Sequence, residues 1–283
     1  MENAIVIKNL CKTYSGFELK NVSFTLPKGY IMGFAGQNGA GKTTTIRSIL
    51  NMIKINSGEI TIFGKDNIKC EREIKQDIGV VLDELYFTRH LKIKSIEAQL
   101  KMFYDNWNSE VFKSYIERFK LPYNKKCGDF SKGMKMKLMI AAALAHDAKL
   151  LILDEPTSGL DPVARDELLD IFGEIIEDGE HSILFSTHIT ADIERVADYL
   201  TILYNGKIYE TGEKDEIMEK YVVIKGDAAD INEEIKKHTI GFHNYRNGFE
   251  SLYKAEYAHL LPDSVVVEKA SIDEIMVYIA KEG

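Results

Sequence analysis

Apolar runs and stretches of helical period alternate along the first three quarters of the chain. The run at residues 150–153, Leu-Leu-Ile-Leu, is uniformly apolar, as expected of a strand that is buried on both faces of a parallel sheet. The segments that predict strands are 4–7, 17–26, 30–35, 59–63, 78–82, 150–153, 182–186 and 199–204. Those that predict helices are 44–52, about 95–121, 134–145, 163–177 and 189–198. The alternation predicts an α/β fold with a parallel sheet and flanking helices.

A tail of about sixty residues follows a change in composition near residues 206–220. Strands are predicted there at 221–224 and 265–267, and Ser271 and Glu274 form the capping box of a last helix. That helix has an apolar stripe formed by Ile272, Ile275, Met276 and Ile279. The stripe must be covered, either by the rest of the same chain or by the tail of a second copy. We expect one large domain at 1–217 and a small α/β accessory domain at 218–283.

Composition narrows the class of protein without identifying a partner. The chain has 283 residues, of which 45% are hydrophobic and 28% charged, as in ordinary globular proteins. A formal net charge of −8 gives no general attraction to nucleic acid or to anionic lipid. Cys11, Cys70 and Cys127 do not form a zinc pattern and are interpreted as reduced, structural thiols. We find no signal peptide and no apolar window of about 18 residues, so we expect a cytoplasmic protein that could serve a membrane only through a partner.

A complete phosphate-binding motif, G-x-x-x-x-G-K-[ST], follows the apolar run at 30–35. Its residues are Gly36, Gln37, Asn38, Gly39, Ala40, Gly41, Lys42 and Thr43, and Thr44 continues into the predicted helix. The glycines allow backbone N–H groups to surround a phosphate, and the helix directs its positive dipole end at the same anion. Lys42 offers a charge to the β- and γ-phosphates, and Thr43 a hydroxyl to Mg²⁺. The motif predicts a nucleoside triphosphate site.

Two adjacent carboxylates end the buried strand at 150–153. The carboxyl end of this strand is expected beside the phosphate loop. Asp154 would bind Mg²⁺, either directly or through water, and Glu155 would polarise a water in line with the γ-phosphate. A solvated Asp-Glu turn is the alternative for a lone dipeptide. With a full phosphate loop upstream, the pair instead predicts hydrolysis by water.

Three further motifs make the assignment more specific. Phe130-Ser-Lys-Gly-Met134 precedes a predicted helix, Ser158-Gly-Leu-Asp161 follows the two carboxylates, and His188 ends Phe185-Ser-Thr-His188. In this order and at this spacing the motifs resemble those of the ABC-type ATPases, the nucleotide-binding domains of ATP-driven transporters. The resemblance covers roughly residues 5–217.

The resemblance implies roles for individual residues. Tyr14 matches the aromatic residue that stacks on adenine. Ser131 and Gly133 match the signature motif, which caps the γ-phosphate bound by the opposite subunit. Asp161 matches the loop that couples the two sites, and His188 matches the γ-phosphate sensor. The family pattern therefore implies a head-to-tail dimer with two composite ATP sites, formed with a second copy or with a different ABC ATPase.

Two departures from the family pattern stand out. Phe130, Lys132 and Met134 replace the usual Leu, first Gly and Gln of the signature, whereas the Ser and the second Gly are kept. We expect function with altered kinetics. The Gln that normally senses Mg²⁺ after the strand at 78–82 is absent, and Asp83 is its nearest match. A carboxylate can bind Mg²⁺ but adds negative charge near the triphosphate.

The expected protein is a P-loop ABC ATPase core with a β-rich N-terminal part, a helical subdomain at about 92–145 and a small C-terminal α/β domain. The resemblance implies that it hydrolyses ATP with Mg²⁺ to drive a separate integral-membrane permease at the inner face of the membrane. The relaxed signature and the tail resemble the antibiotic and drug exporter type of Gram-positive bacteria.

The rival interpretation is an ABC ATPase that remodels ribosome or DNA complexes away from membranes. Proteins of that kind typically have two ABC cores on one chain, or cores that are interrupted by coiled coils or zinc modules. This chain has one core, no heptad insertion and no cysteine pairs, and its acidic balance favours no nucleic-acid partner. A GTPase is disfavoured because Asn124-Lys-Lys-Cys127 lacks the Asp of the guanine motif.

Overall fold

The computed structural model describes residues 2–82, 87–227, 230–246 and 248–282, with residue 234 described by its backbone alone. The strands are β1 (Asn3–Tyr14), β2 (Phe17–Pro27), β3 (Ile31–Ala35), β4 (Ser57–Ile62), β5 (Lys65–Asp66), β6 (Ile78–Val81), β7 (Leu150–Asp154), β8 (Ser182–Thr187), β9 (Tyr199–Tyr204), β10 (Lys207–Glu213), β11 (Tyr221–Gly226), β12 (Thr239–Tyr245), β13 (Gly248–Lys254) and β14 (Val266–Lys269). The helices are α1 (Lys42–Ile49), α2 (Glu71–Asp77), α3 (Ile93–Leu100), α4 (Ser109–Arg118), α5 (Lys132–Ala145), α6 (Pro162–Ile176), α7 (Thr190–Val196), α8 (Lys214–Glu219), α9 (Glu233–His238) and α10 (Ile272–Glu282).

The central sheet has the strand order β10-β9-β3-β8-β7-β6. Its neighbouring strands are parallel except for β10, which runs antiparallel to β9 at one edge. Every residue of β3, β7 and β8 is buried, because helices or the second sheet cover both faces. The predicted α/β fold with a parallel sheet is confirmed.

An antiparallel sheet with the order β2-β1-β4-β5 forms the N-terminal part. Its apolar face shares one hydrophobic cluster with α1 and with one face of the central sheet, in which Ile5, Leu26, Phe34, Ile46 and Leu184 take part. This contact fixes α1, and with it the phosphate loop, between the two sheets.

The segment predicted as one helical stretch at 95–121 is instead two helices, α3 and α4. Residues 101–108 between them are turns and loop, so the prediction of one continuous helical pattern was wrong here. The Asn108 side chain begins α4 by accepting hydrogen bonds from the backbone N–H groups of Glu110 and Val111. Helical spacing of aromatic residues continues through the break, but Phe103 points to solvent and is 71% exposed.

A buried histidine attaches this break to α2. The His146 ring stacks on Tyr104 with 3.8 Å between ring centroids. Its Nδ1 lies 3.2 Å from the carbonyl oxygen of Gln76. The Gln76 side chain donates to the carbonyl of Phe103 and accepts from the backbone N–H of Asp105. These contacts join residues 103–105 to the end of α2.

The C-terminal residues form a third sheet with the order β12-β13-β11-β14. The predicted strands at 221–224 and 265–267 correspond to β11 and β14, whereas β12 and β13 were not predicted. The capping box of α10 is confirmed, since the Glu274 carboxylate accepts from the Ser271 backbone N–H and the Ser271 hydroxyl accepts from the Glu274 N–H.

The apolar stripe of α10 is covered within the same chain. Ile272, Ile275 and Ile279 are buried, and α10 packs against β12, α7 and β9. These residues belong to the same hydrophobic cluster as Leu200 of β9 and Ile193 of α7. Of the two interpretations of the stripe, the structure therefore shows packing on the same chain.

A glycine turn between β9 and β10 holds the two sheets and the phosphate loop together. Gly206 has φ +73°, its N–H donates to the carbonyl of Ala40, and its own carbonyl accepts from the N–H of Lys20. A Cβ at this position would lie 1.9 Å from the carbonyl oxygen of Glu18. Only glycine fits this turn without displacing backbone.

Gly206→Ala should therefore lower the free energy of unfolding by more than about 3 kcal/mol, because the backbone clash adds to a strained φ that alone costs about 1–3 kcal/mol. Gly64, with φ +74° and open space around the missing Cβ, is the matched control. Gly64→Ala should lose only about 1 kcal/mol. Urea denaturation of both variants measures the difference, and equal losses would contradict the role of the clash.

Burial of His146 should make stability depend on pH. The side chain is 2% exposed, and desolvation lowers the pKa of its imidazole from the ordinary 6.5 to about 4. Between pH 6.5 and about 4, His146 thus binds a proton in the unfolded chain but not in the folded chain. The folded state therefore has its full stability above pH 6.5 and loses stability as the pH falls below that value. Between pH 7 and 5.5 the loss should be about 1 kcal/mol. His146→Gln should remove this part of the pH dependence in denaturation curves, and an unchanged dependence would contradict it.

Candidate active site

The loop between β3 and α1 has the geometry of an anion site. Gly41 has φ +115°, and a Cβ there would lie 2.5 Å from the side chain of Leu19. The glycine thus lets the loop turn tightly against β2 before α1 begins at Lys42. The first N–H groups of α1 have no partner within the helix and face the loop, where they favour a negative ligand.

Lys42 places a charge inside this loop. Its side chain is 6% exposed, and Nζ donates to the carbonyl of Gly36 at 2.6 Å. The same Nζ lies 3.1 Å from Oε1 of Glu155. A buried ammonium is tolerated because it has these oxygen partners, and an entering phosphate would offer oxygens of the same kind.

A serine of the neighbouring strand holds both acidic residues at the end of β7, Asp154 by its carboxylate and Glu155 by its backbone. Ser186 donates its hydroxyl to Oδ1 of Asp154 at 2.6 Å and accepts from the backbone N–H of Glu155 at 2.9 Å. Glu155 has φ +50°, a conformation that costs a non-glycine residue about 1–3 kcal/mol. Sequence reasoning missed Ser186, although a hydroxyl at the end of the adjacent strand was the available signal.

His188 completes the cluster. Its Nδ1 lies 2.7 Å from Oε2 of Glu155, while Lys42 contacts the other carboxylate oxygen. The structure therefore brings together three side chains that the sequence predicted for one site. Glu155 is held from both sides, with its carboxylate at the mouth of the phosphate loop.

A cleft of about 530 Å³ lies in front of this cluster. It is lined by Gly16, Phe17, Gln37, Asn38, Gly39, Gly41, Lys42, Thr43, Thr44 and Glu155. A lysine, a helix N-terminus and glycine backbone suit a polyphosphate.

Tyr14 pairs with Phe17 across the β1–β2 hairpin, and Lys12 Nζ lies 4.7 Å from the centroid of the Tyr14 ring. The exposed Tyr14 ring is thus next to the cleft but not among its lining residues.

The predicted signature and coupling residues are not among the residues that line this cleft. Ser131 caps α5 by accepting from the N–H of Met134, and Asp161 caps α6 by accepting from Val163 and Ala164. Gly133 faces Leu160 and Ala164, so the signature and the coupling loop are neighbours. None of Ser131, Gly133 and Asp161 lines the cleft.

The predicted metal ligands are only partly described. In the described residues Asp154 keeps one carboxylate oxygen free of Ser186, which suits a hard cation. Thr43 lines the cleft at the first turn of α1. The prediction for Asp83 lies outside the described residues. No cluster of three metal-binding His, Cys, Asp or Glu side chains occurs in the described part of the chain.

A second concave feature, here called the junction groove, lies where α3 and residues 101–105 meet α1, α2 and β6. It consists of two adjoining cavities of about 360 and 790 Å³. Apolar side chains line it, including Leu50, Val80, Leu100 and Met139. Charged side chains of both signs line its outer part: Lys69, Arg72, Lys75, Glu71 and Asp105. Met102 at its edge is 83% exposed.

Comparisons with known proteins agree with this geometry. Residues 19–158 match the family model described as ABC transporter. The chain is 37% identical over 215 residues to the bacitracin transport ATP-binding protein BcrA of Bacillus licheniformis, a match that covers 74% of this chain and 70% of that protein. It is 30% identical to the ABC transporter ATP-binding protein YtrB of Bacillus subtilis, over 96% of this chain and 91% of that protein. A solved ATP-binding subunit of an ABC transporter superposes with a TM-score of 0.68 at 29% identity, covering 76% of this chain and 91% of that one.

The parallel sheet, the phosphate loop and the carboxylates at the end of β7 define a P-loop ATPase. The chain belongs to the ABC transporter family, and it is an ATP-binding subunit of the kind whose ATPase activity powers transport. The resemblance found in the sequence is confirmed, and the ribosome- or DNA-remodelling alternative is not favoured. In the described ranges no helix has the length and apolar character needed to cross a bilayer.

Proposed function

We propose that this chain drives a separate integral-membrane permease by hydrolysing Mg²⁺-ATP as one half of an ATPase dimer at the cytoplasmic face of the cell membrane. The observation that carries the proposal is the position of Glu155, fixed between Lys42 and His188 at the mouth of the phosphate loop. Similarity to bacitracin transport ATP-binding proteins supports export of antibiotic-like cargo.

The side chains of the cluster have distinct proposed tasks. Lys42 neutralises phosphate oxygens, and the N–H groups of the loop orient them. Glu155 orients the attacking water and accepts its proton, while His188 holds the Glu155 carboxylate in place. Asp154 and Thr43 would hold Mg²⁺, which when bound would supply charge neutralisation at the phosphate oxygens. Tyr14 offers a ring face to the adenine.

The signature and coupling residues are proposed to complete the site of another subunit. Ser131 and the first turn of the 14-residue helix α5 offer a hydroxyl and backbone N–H groups of the kind that bind phosphate. Because Ser131, Gly133 and Asp161 do not line the chain's own cleft, we infer that they face the cleft of a second ATPase subunit. That subunit is either another copy of this chain or a different ABC ATPase.

The junction groove is proposed as the docking site of the permease. An exposed pair, Met102 and Phe103, lies beside an apolar floor, as expected of a surface that accepts an amphipathic helix. Leu50 lies directly after α1 and Leu82 directly after β6, so the floor touches elements that lead to the phosphate site. A docked segment could thereby follow ATP-driven changes.

We also propose the division of the chain at about residue 217. Residues 1–217 would form the nucleotide-binding domain, with the helical subdomain at about 92–145, and residues 218–283 the accessory domain. The separate sheet of β11–β14 supports this division. The cluster shared by α10 with the catalytic part indicates that the accessory domain is firmly attached.

Composite sites can be tested by mixing variants. Glu155→Gln alone should lose about 100-fold or more in turnover, and Ser131→Ala should also be impaired. In a mixed dimer of these two variants one site is intact, so ATPase activity should rise above that of either parent. Mixing Glu155→Gln with Lys42→Ala is the matched control, because both changes lie in the same half of each site and no intact site can form. Recovery in both mixtures, or in neither, would contradict composite sites.

Permease docking can be tested by Met102→Ser combined with Phe103→Ser. Loss of two exposed apolar anchors should weaken permease binding about tenfold or more, while basal ATPase activity stays unchanged because neither residue touches the phosphate cleft. The measurement is permease-stimulated ATPase activity in vesicles that contain the permease with which this chain co-purifies. Val277→Ser, at a partly exposed position on α10, is the control. Unchanged stimulation in the double variant would refute docking at this groove.

A further inference from the structure

A buried carboxylate behind the active-site loops has no role in the assignments above. Asp192 is 0% exposed. Its Oδ2 accepts from the Thr157 hydroxyl at 2.6 Å, and its Oδ1 pairs with Nε of Arg165. A carboxylate is rarely buried unless both oxygens are satisfied, and removing one donor leaves it uncompensated. The cluster of Asp192, Thr157 and Arg165 is therefore a specific arrangement rather than a solvated ion pair.

These three residues come from the three segments that carry proposed site residues. Thr157 is two positions after Glu155, and Arg165 is in the first turns of α6, which Asp161 caps. Asp192 lies in the first turn of α7, which begins two residues after His188. One buried side chain thus joins the loop after Glu155, the helix after Asp161 and the helix after His188.

The loop that contains Thr157 is stiff enough to transmit a displacement. The Ser158 N–H donates to the carbonyl of Glu155, and the Leu160 N–H donates to the carbonyl of Thr157. Two successive tight turns therefore span the loop, and a shift at Thr157 must move Glu155. The 2.7 Å contact between Glu155 and His188 depends on this relative position.

We propose that Asp192 is a positioning residue for ATP hydrolysis. Through the Thr157 hydroxyl it fixes the backbone of Glu155 relative to that of His188, and through Arg165 it fixes the start of α6. It acts on the reacting groups only through these neighbours. The proposal rests on the proposed roles of Glu155 and His188, and it requires neither the permease nor a particular dimer.

The same two helices offer a matched control. Arg195 of α7 pairs with Asp166 and Asp170 of α6 at the surface, away from the loop after Glu155. Arg195→Gln therefore weakens the contact between α6 and α7 slightly while the bond between Thr157 and Asp192 is kept. If Asp192 positions Glu155, only the Thr157 link should matter for turnover.

The decisive variants are Thr157→Val, which removes the hydroxyl at nearly constant volume, and Thr157→Ser, which keeps it. We expect Thr157→Val to lose about tenfold or more in kcat, since small misplacements of catalytic groups are costly. Its ATP affinity should stay within about twofold of wild type, because the phosphate loop is untouched. Thr157→Ser and Arg195→Gln should keep nearly the wild-type kcat. Thr157→Ala should repeat the kcat loss and replaces Thr157→Val if the latter fails to fold.

The experiment compares kcat and ATP affinity of the purified full chain for all variants. Wild-type kcat in Thr157→Val, equal losses in Thr157→Ser and Thr157→Val, or an equal loss in Arg195→Gln would each overturn the proposal. A parallel loss of ATP affinity would overturn it as well. Glu155→Gln and His188→Ala distinguish failure of the proposed function from failure of the positioning role. If these two variants keep full kcat, the proposed roles of Glu155 and His188 fail. If they are impaired while Thr157→Val is not, only the positioning role of Asp192 fails.

Discussion

The parallel register of β3, β8 and β7 is the constraint on which the active site depends. Ala35 lies opposite Thr187, and Asp154 lies opposite Ser186. Because these strands end at one edge of the sheet, the phosphate loop, the two carboxylates and His188 all follow directly from strand ends. Residues more than a hundred positions apart in the chain are thereby brought to hydrogen-bond distance without long connecting loops. A slip of one strand by one residue would separate them.

The site also depends on buried charges, and hydrogen-bond or ion-pair partners within the protein make their burial tolerable. Lys42, Asp154 and Asp192 are all buried, and each has a partner inside the protein. Ser186 and Thr157 each donate to a carboxylate, and each is anchored to a strand end or to a tight turn. Since electrostatic interactions are strong where water is excluded, such short bonds also fix geometry. The same feature that stabilises the charge therefore orients it.

The features that could be predicted from sequence are those determined by residues close together in the chain. The phosphate loop was predictable because its geometry requires particular residues at fixed positions in the sequence. Gly41 turns tightly against Leu19, and Lys42 follows at the start of α1. The break between α3 and α4 could not be predicted, because it depends on contacts of Phe103 and Tyr104 with residues distant in sequence. These residues are Gln76 and His146. The strands β12 and β13 lack a clean alternation of apolar residues. Ser186 was missed because Asp154 and Glu155 become its neighbours only through the pairing of β7 with β8.

The helix α7 connects the active site with the C-terminal residues. Its first turn carries Asp192, which faces the loop after Glu155, and its second carries Glu194, whose carboxylate accepts from the backbone N–H of Ile272 at 3.0 Å. Lys214 at the start of α8 donates to the carbonyl of the same Glu194. Because α10 and α7 also share a hydrophobic cluster, a displacement of the C-terminal sheet would also displace α7, the helix that follows His188. The C-terminal residues are therefore packed directly against the helix that follows His188, although they contain none of the nucleotide motifs.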